Sequence, residues 1–301
     1  MLTTILLSAA LASPVHPAPT PAGVTEVSYS APAARVAGES FVVEQTFTSD
    51  GPVELWRFTP AAFEADGKPL GERGDKTVDM PQGSKVTVSF DLGAELPDGS
   101  FQLGCAGSET KTDVATYKAV ARGAVNFLDL SPEELAKYKV LFVTNQGSFT
   151  MEMWPQYAPN HVRNFLDLSN TGFYEGILFH RVSPTFMIQG GDPNTKDKPK
   201  EMWGQGGGPR KLPAEFNAEV NHVPGVLSMA RSQSPDSASS QFFVMTANAT
   251  HLDGQYSAFG KVTEGMTTIM KIANAKGQPY AGATMPDEPQ RIEHTYVLLP
   301  E

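Results

Sequence analysis

The strongest constraint on the fold is a set of four sequence blocks in the C-terminal half of the chain. They span residues 172–193, 224–231, 240–247 and 252–262. The segments within and between them are short, strand-like and punctuated by glycine, a pattern typical of closed antiparallel β-barrels. We therefore predict a barrel for this half.

Helix and hairpin signals surround the blocks. Residues 140–153 predict a β-hairpin, because two apolar runs flank a short turn. Pro159 begins a helical pattern that ends at Gly172, a residue type suited to the left-handed cap of a helix. A second helix is predicted after Gly265. The barrel is thus expected to carry two capping α-helices.

The N-terminal half follows a different pattern. From about Thr25 to Val120, apolar and polar residues alternate with period two, most clearly over residues 85–92. Turn signals such as Asp98-Gly99 separate these runs. Short strands with regular turns favour an antiparallel β-sandwich. The whole chain is therefore predicted to be mainly β, a β-sandwich-like domain preceding the barrel.

A short helical signal lies between the halves. Ser131 and Glu134 have the spacing of a capping box, and Pro132 suits the first turn of a helix. The predicted segments are residues 1–24 (signal peptide and linker), 25–122 (sandwich-like domain), 123–138 (linker with a short helix) and 139–301 (barrel domain).

The first twelve residues form a short apolar run that ends in small residues. Such a run is too short to span a bilayer but fits the core and cleavage pattern of a secretory signal. No Lys or Arg precedes Arg35, so the basic leader segment is missing. We expect export, to the periplasm or outside a bacterial cell; the alternative is a frayed N-terminus on a cytoplasmic protein.

Composition excludes several classes of function. The formal net charge is −10, and no run of Lys or Arg occurs, so a nucleic-acid partner is not expected. A single cysteine, Cys105, excludes an intrachain disulfide and a thiolate metal cluster, and we expect it to be a small buried thiol. No His lies between His16 and His161, so the sequence gives little support for an acid–base or metal role of the sandwich. No metal, cofactor or membrane span is predicted.

In this order and spacing, the four blocks resemble the cyclophilin family. The resemblance runs from about Lys139 to the C-terminus and is highly specific, because the first block alone exceeds a short-motif coincidence. It implies an eight-stranded antiparallel barrel with an active groove on one outer face. It also implies peptidyl-prolyl cis–trans isomerase activity on proline-containing polypeptides, without a cofactor.

The resemblance assigns roles to individual residues. Arg181 is the expected catalytic donor, and Gln189 is expected to bond the substrate backbone. The other expected substrate-binding residues are Phe186, Met187, Ala230, Arg231, Gln241, Phe243, His251, Leu252 and Tyr256. Taken singly, each of these residues could be an ordinary core or surface residue. Taken together, in this order, they favour the functional interpretation. His180 is assigned a structural role, since strand alternation turns it away from the face of Arg181.

Three positions depart from the best-known family pattern. His251 stands where Trp is common in eukaryotic members, Tyr256 where His is common there, and Arg231 where Asn is common. The glycine-rich stretch within residues 194–209 lacks the Gly-Lys-Ser/Thr ending of a phosphate loop. It resembles the glycine loop that bacterial cyclophilins carry beside the groove.

The leading hypothesis is an exported isomerase that assists the folding of envelope or secreted proteins. One alternative is a non-catalytic module or holdase that binds proline peptides. Another is a docking protein that acts through its N-terminal sandwich.

Overall fold

The structure is a computed structural model. It describes residues 119–298 in full and, before them, the ten β-strands of the N-terminal part of the chain. The chain forms two compact units, residues 1–119 and 120–301. Each unit is described by itself.

The first unit contains strands that pair in antiparallel fashion. The strands are β1 (Leu2–Ser8), β2 (Val24–Ser30), β3 (Val42–Ser49), β4 (Val53–Phe58), β5 (Pro60–Glu64), β6 (Pro69–Glu72), β7 (Lys76–Met80), β8 (Lys85–Asp91), β9 (Ser100–Cys105) and β10 (Thr112–Val120). Antiparallel ladders join β2 to β3 and β3 to β8, β4 to β7, β5 to both β6 and β9, and β9 to β10. The strand predicted at residues 85–92 is confirmed. The packing expected of a sandwich, the burial of Cys105 and the linker after the leader lie outside the described residues.

In its described residues, the second unit contains ten strands and three α-helices. The strands are β11 (Lys139–Thr144), β12 (Gly147–Met153), β13 (Arg181–Val182), β14 (Met187–Gly190), β15 (Val226–Met229), β16 (Phe242–Met245), β17 (Ala258–Glu264), β18 (Gly277–Tyr280), β19 (Ala283–Pro286) and β20 (Ile292–Leu298). The helices are α1 (Pro132–Leu135), α2 (Pro159–Asn170) and α3 (Met266–Ala273). The predicted hairpin is the β11–β12 pair. None of the helices in the described part of the chain has the length and apolarity needed to cross a bilayer.

Eight of these strands form one antiparallel sheet in the order β13-β14-β16-β15-β17-β12-β11-β20. Hydrogen bonds between residues 176–179 and 290–292 join the segment before β13 to the start of β20. Gly176 N donates to Ile292 O at 2.8 Å, and Ile292 N donates to Ile177 O at 2.9 Å. The two ends of the sheet therefore meet, as a closed antiparallel barrel requires. The β18–β19 hairpin extends the sheet beyond β13.

The barrel interior is filled by large side chains. The largest fully buried ones are Tyr174, Phe127, Phe142, Phe149, Phe165, Phe179, Phe242 and Phe259. Helix α2 packs its buried residues Val162, Phe165 and Leu166 into this core, as its apolar periodicity predicts. The helix ends at Asn170, and Gly172 just beyond it has a φ of 74°, which confirms the predicted left-handed cap.

The segment between the predicted domains is part of the second unit. Ser131 and Glu134 form the predicted capping box at the start of α1. Phe127 and Leu135 are fully buried in the barrel core. Arg163 of α2 also donates from Nε and Nη2 to the Leu130 carbonyl, at 3.0 and 2.9 Å. Residues 123–138, predicted as a linker with a short helix, thus also contribute core packing.

Candidate active site

Three neighbouring strands align a row of side chains across the outside of the barrel. In the register of β13 and β14, Arg181 lies opposite Gln189. In the register of β14 and β16, Gln189 lies opposite Phe243. Residues opposite each other in antiparallel strands share a face of the sheet. The ladder therefore brings together residues that lie up to 62 positions apart in sequence.

Strand alternation selects which residues face outward. Ile188 and Val244 belong to the barrel core, whereas Met187 and Phe243 belong to a separate apolar cluster. Successive side chains of a strand point to opposite faces. Met187 and Phe243 are therefore set outside the barrel interior, where they form the floor of a groove.

A cavity of about 100 Å³ lies over this cluster. Its lining consists of Arg181, Phe186, Met187, Gln189, Ala230, Arg231, Phe243, Leu252 and Tyr256. These are nine of the eleven residues selected from the sequence. Apolar side chains form one part of the lining, and the guanidinium groups of Arg181 and Arg231 form another. The cavity combines an apolar pocket with fixed N–H donors.

The guanidinium of Arg181 is held on two sides. Nε and Nη2 donate to the carbonyl of Ala281 at 3.1 and 2.8 Å, and Nη1 donates to Gln189 Oε1 at 3.1 Å. Its Cζ lies 5.6 Å from the ring centroid of Phe186. An arginine has five N–H groups, so two remain for a ligand. Partial burial lowers the pKa of Arg181 from its usual value, but a guanidinium stays protonated at neutral pH.

A chain of side-chain amides continues from Arg181 to the glycine loop. Gln189 Nε2 donates to Gln241 Oε1 at 3.0 Å. Gln241 Nε2 in turn donates to the carbonyls of Gly204 and Gly206, at 2.9 and 2.8 Å. Gln241, which we predicted to bind substrate, does not line the first cavity, and its side chain fixes the loop beside it.

The glycines of that loop allow its close approach to the barrel. Gly204 has a φ of 84°, and its N–H donates to the buried carboxylate of Asp192. A Cβ on Gly206 would collide with the same carboxylate. Glycine, which has no Cβ, permits both the positive φ at residue 204 and the close approach at residue 206.

A turn at residues 250–256 supplies the far wall. It presents Leu252 and Tyr256 to the cavity. His222 anchors the turn, since its backbone N–H donates to Asp253 Oδ1 at 2.7 Å and its ring Nδ1 lies 2.9 Å from the same oxygen. The His222 ring also stacks on Phe243, with centroids 6.1 Å apart. His222 thus links the turn to the floor of the groove.

The same histidine completes a Ser-His-Asp arrangement. His222 Nε2 lies 3.1 Å from Ser228 Oγ, and Nδ1 faces Asp253. With Nδ1 protonated against the carboxylate, Nε2 accepts from the serine hydroxyl. Burial lowers the pKa of His222, although Asp253 opposes the shift. Ser228 is fully buried, so its hydroxyl is not accessible to a substrate and the group is structural.

Arg231 borders the cavity from the other side. Its Cζ lies 4.6 Å from the ring centroid of Tyr256 and 5.7 Å from that of Phe216. Nε and Nη2 donate to Gln255 O, both at 3.2 Å. Stacking and these bonds fix the cation at the rim of the groove.

Two histidines next to the cavity lining, His251 and His180, occupy different environments. His251 is exposed, does not line the cavity and stacks on Phe186 with ring centroids 5.9 Å apart. His180 is almost fully buried, and burial lowers its pKa to about 4. Among the described residues, no three His, Cys, Asp or Glu side chains cluster as metal ligands would.

Sequence patterns missed the residues that support the site from a distance. The carbonyl of Ala281, the ring of His222 and the carboxylate of Asp192 carry no local signal of such a role. Each acts through a contact that only the folded chain creates. Glycine spacing within residues 204–208 was the one available hint of a close backbone approach.

Known proteins match the barrel unit. The family described as "Cyclophilin type peptidyl-prolyl cis-trans isomerase/CLD" matches residues 139–297, a range that includes the whole cavity lining. A "Peptidyl-prolyl cis-trans isomerase" of Acinetobacter baylyi is 39% identical over 169 residues, covering 54% of this chain and 87% of that protein. A "Probable peptidyl-prolyl cis-trans isomerase" of Brucella suis is 37% identical over 179 residues, covering 58% of this chain and 89% of that protein. A "Peptidyl-prolyl cis-trans isomerase-like 2" of Gibberella zeae is 38% identical over 158 residues, but the match spans only 26% of that longer protein.

Proposed function

Because the chain belongs to the cyclophilin-type peptidyl-prolyl cis–trans isomerase family, we propose that it accelerates X–Pro isomerisation while exported or envelope proteins fold. The observation that carries the proposal is the single cavity that joins Arg181 to an apolar floor of Met187 and Phe243. An apolar floor beside a fixed cation suits a proline ring and its adjacent amide.

The reaction makes modest chemical demands. Partial double-bond character of the amide gives rotation a barrier of ~18–20 kcal/mol. The barrier falls when the prolyl nitrogen becomes pyramidal and the resonance is lost. A donor that stabilises this geometry more than the planar amide accelerates rotation in both directions. No covalent bond forms or breaks, and no proton is transferred.

The described residues divide these tasks among them. Phe186, Met187, Phe243 and Leu252 offer apolar surface to the pyrrolidine ring. The two free N–H groups of Arg181 supply the donor. Since Ala281 and Gln189 already hold the guanidinium, little reorganisation is needed when the substrate binds.

Export is proposed from the leader alone. The apolar run that ends at Ala12 has the pattern of a cleaved signal. Sequencing the N-terminus of natively expressed protein tests this point. We expect a mature chain beginning near Ser13, whereas a retained Met1 in a cytosolic fraction would contradict export.

A refolding experiment separates isomerase from holdase. The substrate is a protein whose slow refolding phase is limited by proline isomerisation. We expect the full chain to accelerate that phase at substoichiometric concentration, because a catalyst turns over. A holdase would act only at stoichiometric concentration and would slow refolding. That result would contradict the proposed activity.

The N-terminal unit is proposed to position the enzyme or to hold its clients.

A further inference from the structure

A second cavity adjoins the first and shares part of its wall. It has a volume of about 160 Å³. Gln189, Ala230 and Arg231 line both cavities. The rest of its wall comes from the glycine loop, from Lys211, from Gln241 and from a serine-rich segment that includes Ser237. A single extended peptide can therefore occupy both.

The lining of the second cavity includes two cations and no carboxylate. Lys211 is exposed, and its Nζ donates to Ser237 O at 3.4 Å. In the part of the chain that the structure describes, Lys211 and Arg231 form no ion pair with an Asp or Glu. Arg231 donates to backbone carbonyls, which do not neutralise its charge. Both positive charges therefore act on whatever enters.

Two carboxylates in segments that adjoin the second cavity do not line it. Asp236 accepts from the backbone N–H of Ala214 at 2.8 Å, and it does not line the cavity. Asp192 is fully buried behind the glycine loop, where it accepts from the N–H groups of Asn194 and Gly204. A cationic cavity on a chain of net charge −10 is a local exception to the overall charge.

We propose that this second cavity selects substrates that carry a Glu or Asp side chain near the isomerising proline, with Lys211 as the specificity-determining residue. The inference rests on the proposed function, because it assigns selectivity to the same groove. An extended peptide advances ~3.3–3.6 Å per residue, so a side chain two or three residues from the proline lies ~7–11 Å away. That reach suits a cavity that shares a wall with the proline pocket.

The test uses the full chain and short peptides that contain one proline. Glu, or its neutral isostere Gln, is placed in turn at each of the three positions on either side of the proline. Calorimetry gives Kd, and exchange NMR gives the catalysed isomerisation rate. We expect Glu to be favoured about 1.5-fold to fivefold on one side of the proline only, as for partly exposed ion pairs. The preference should fall toward one in 1 M NaCl, where the Debye length is ~3 Å.

Two substitutions assign the preference to one side chain. Lys211→Gln should reduce it, and Lys211→Glu should abolish it, because the new carboxylate offsets the remaining charge of Arg231. Lys271→Gln is the matched control, since Lys271 is exposed on α3 and lines neither cavity. Loss of the preference with unchanged binding of the Gln peptide is not expected of a lysine with a structural role alone.

The outcomes separate this inference from the proposed function. Equal Kd values and rates for Glu and Gln peptides at every position would overturn the inference, while normal turnover would leave the isomerase standing. A preference that both Lys211 variants retain would overturn the assignment to Lys211. A preference in Kd without catalysed exchange would support the cavity's selectivity and contradict the isomerase.

Discussion

Arg181 combines two properties that rarely occur together at a protein surface. It is half-buried, yet its hydrogen-bond partners are a carbonyl and an amide oxygen and not a carboxylate. A carboxylate partner would neutralise the cation, whereas Ala281 and Gln189 orient it and leave its charge available. At the scale of the single residue, orientation without neutralisation is what the proposed catalysis requires.

His180, beside Arg181, gives a prediction for pH. Burial lowers its folded-state pKa to about 4, whereas an unfolded histidine titrates near 6.5. The unfolded chain therefore binds the proton first as the pH falls. The contribution of a neutral His180 to the free energy of unfolding is therefore present above about pH 6.5 and is lost progressively toward pH 4. Between pH 7 and pH 5 the loss is about 2 kcal/mol. Urea unfolding at both pH values measures the loss.

A neutral replacement isolates the contribution of His180. In the His180→Gln protein, the loss between pH 7 and pH 5 should shrink by about 2 kcal/mol. His251→Gln is the control, because it replaces an exposed histidine with the same neutral side chain. An identical pH dependence in the parent and His180→Gln proteins would contradict the assignment of the low pKa to His180.

At the scale of elements, the β18–β19 hairpin positions Arg181. Its two-residue turn places Ala281 at a φ of 46° and Gly282 at 74°, the conformation of a type I′ turn. Alanine is unfavourable at such a φ, whereas Asn is well suited to it. The strained residue is the one whose carbonyl accepts from Arg181.

Two substitutions at the turn should have opposite effects. Ala281→Asn retains the turn and should raise stability by about 1 kcal/mol, with turnover unchanged. Ala281→Pro forces φ to about −65°, moves the carbonyl and should lower kcat/KM about threefold or more. Thermal unfolding and a peptide isomerisation assay measure both effects. Full activity in a folded Ala281→Pro protein would show that the hairpin does not position Arg181.

Helix α2 takes its N-terminal cap from a distant loop. Ala158 at the cap position has no side-chain bond to offer, and Glu215 accepts instead from the N–H groups of Asn160 and His161, at 3.1 and 3.0 Å. Burial alone would raise the pKa of Glu215, but these bonds and that of the His161 ring lower it overall. A negative charge at a helix N-terminus is stabilising.

Removing that charge should destabilise the barrel unit. Glu215→Gln should cost about 1–2 kcal/mol at pH 7, measured by urea unfolding. Because the folded pKa of Glu215 is lowered, the difference from the parent should shrink as the pH falls through it. Glu219→Gln is the matched control, an exposed glutamate in the same loop region. Equal losses of unfolding free energy in the two variants would contradict the capping role of Glu215.

The features that can be predicted from the sequence are local, whereas those that cannot are contacts between residues far apart in the chain. The helical period of α2 is local, so Phe165 could be placed from the sequence, whereas Met187 and Phe243 were placed by the family resemblance. The cap from Glu215 spans 54 residues, and the bond from Arg181 to Ala281 spans 100. Such contacts depend on how the barrel closes. Local patterns and the family resemblance therefore gave the cavity lining but not the groups that hold it.

At the scale of the whole molecule, the barrel unit includes more chain than the family match. The match begins at residue 139, whereas Phe127 and Leu135 are already fully buried in the core. A fragment of residues 120–301 should fold and retain kcat/KM within about twofold of the full chain. A fragment that begins at Glu134 should be less stable by about 3 kcal/mol or more, because it lacks the ring of Phe127.

Unfolding and activity measurements on the two fragments decide where the unit begins. Equal stability would show that Phe127 contributes nothing to the barrel. A folded but inactive 120–301 fragment would show that the first unit takes part in catalysis.

The central claim is that Arg181 in this groove lowers the barrier to X–Pro rotation. A protease-coupled peptide assay on the full chain, its Arg181→Ala variant and the exposed control Arg291→Ala tests it most directly. We predict catalysis by the parent and the control, and at least a tenfold lower kcat/KM for Arg181→Ala, or ~1.4 kcal/mol of transition-state stabilisation, with nearly unchanged thermal stability. An Arg181→Ala protein as active as the parent, or a folded parent without activity, would contradict the account.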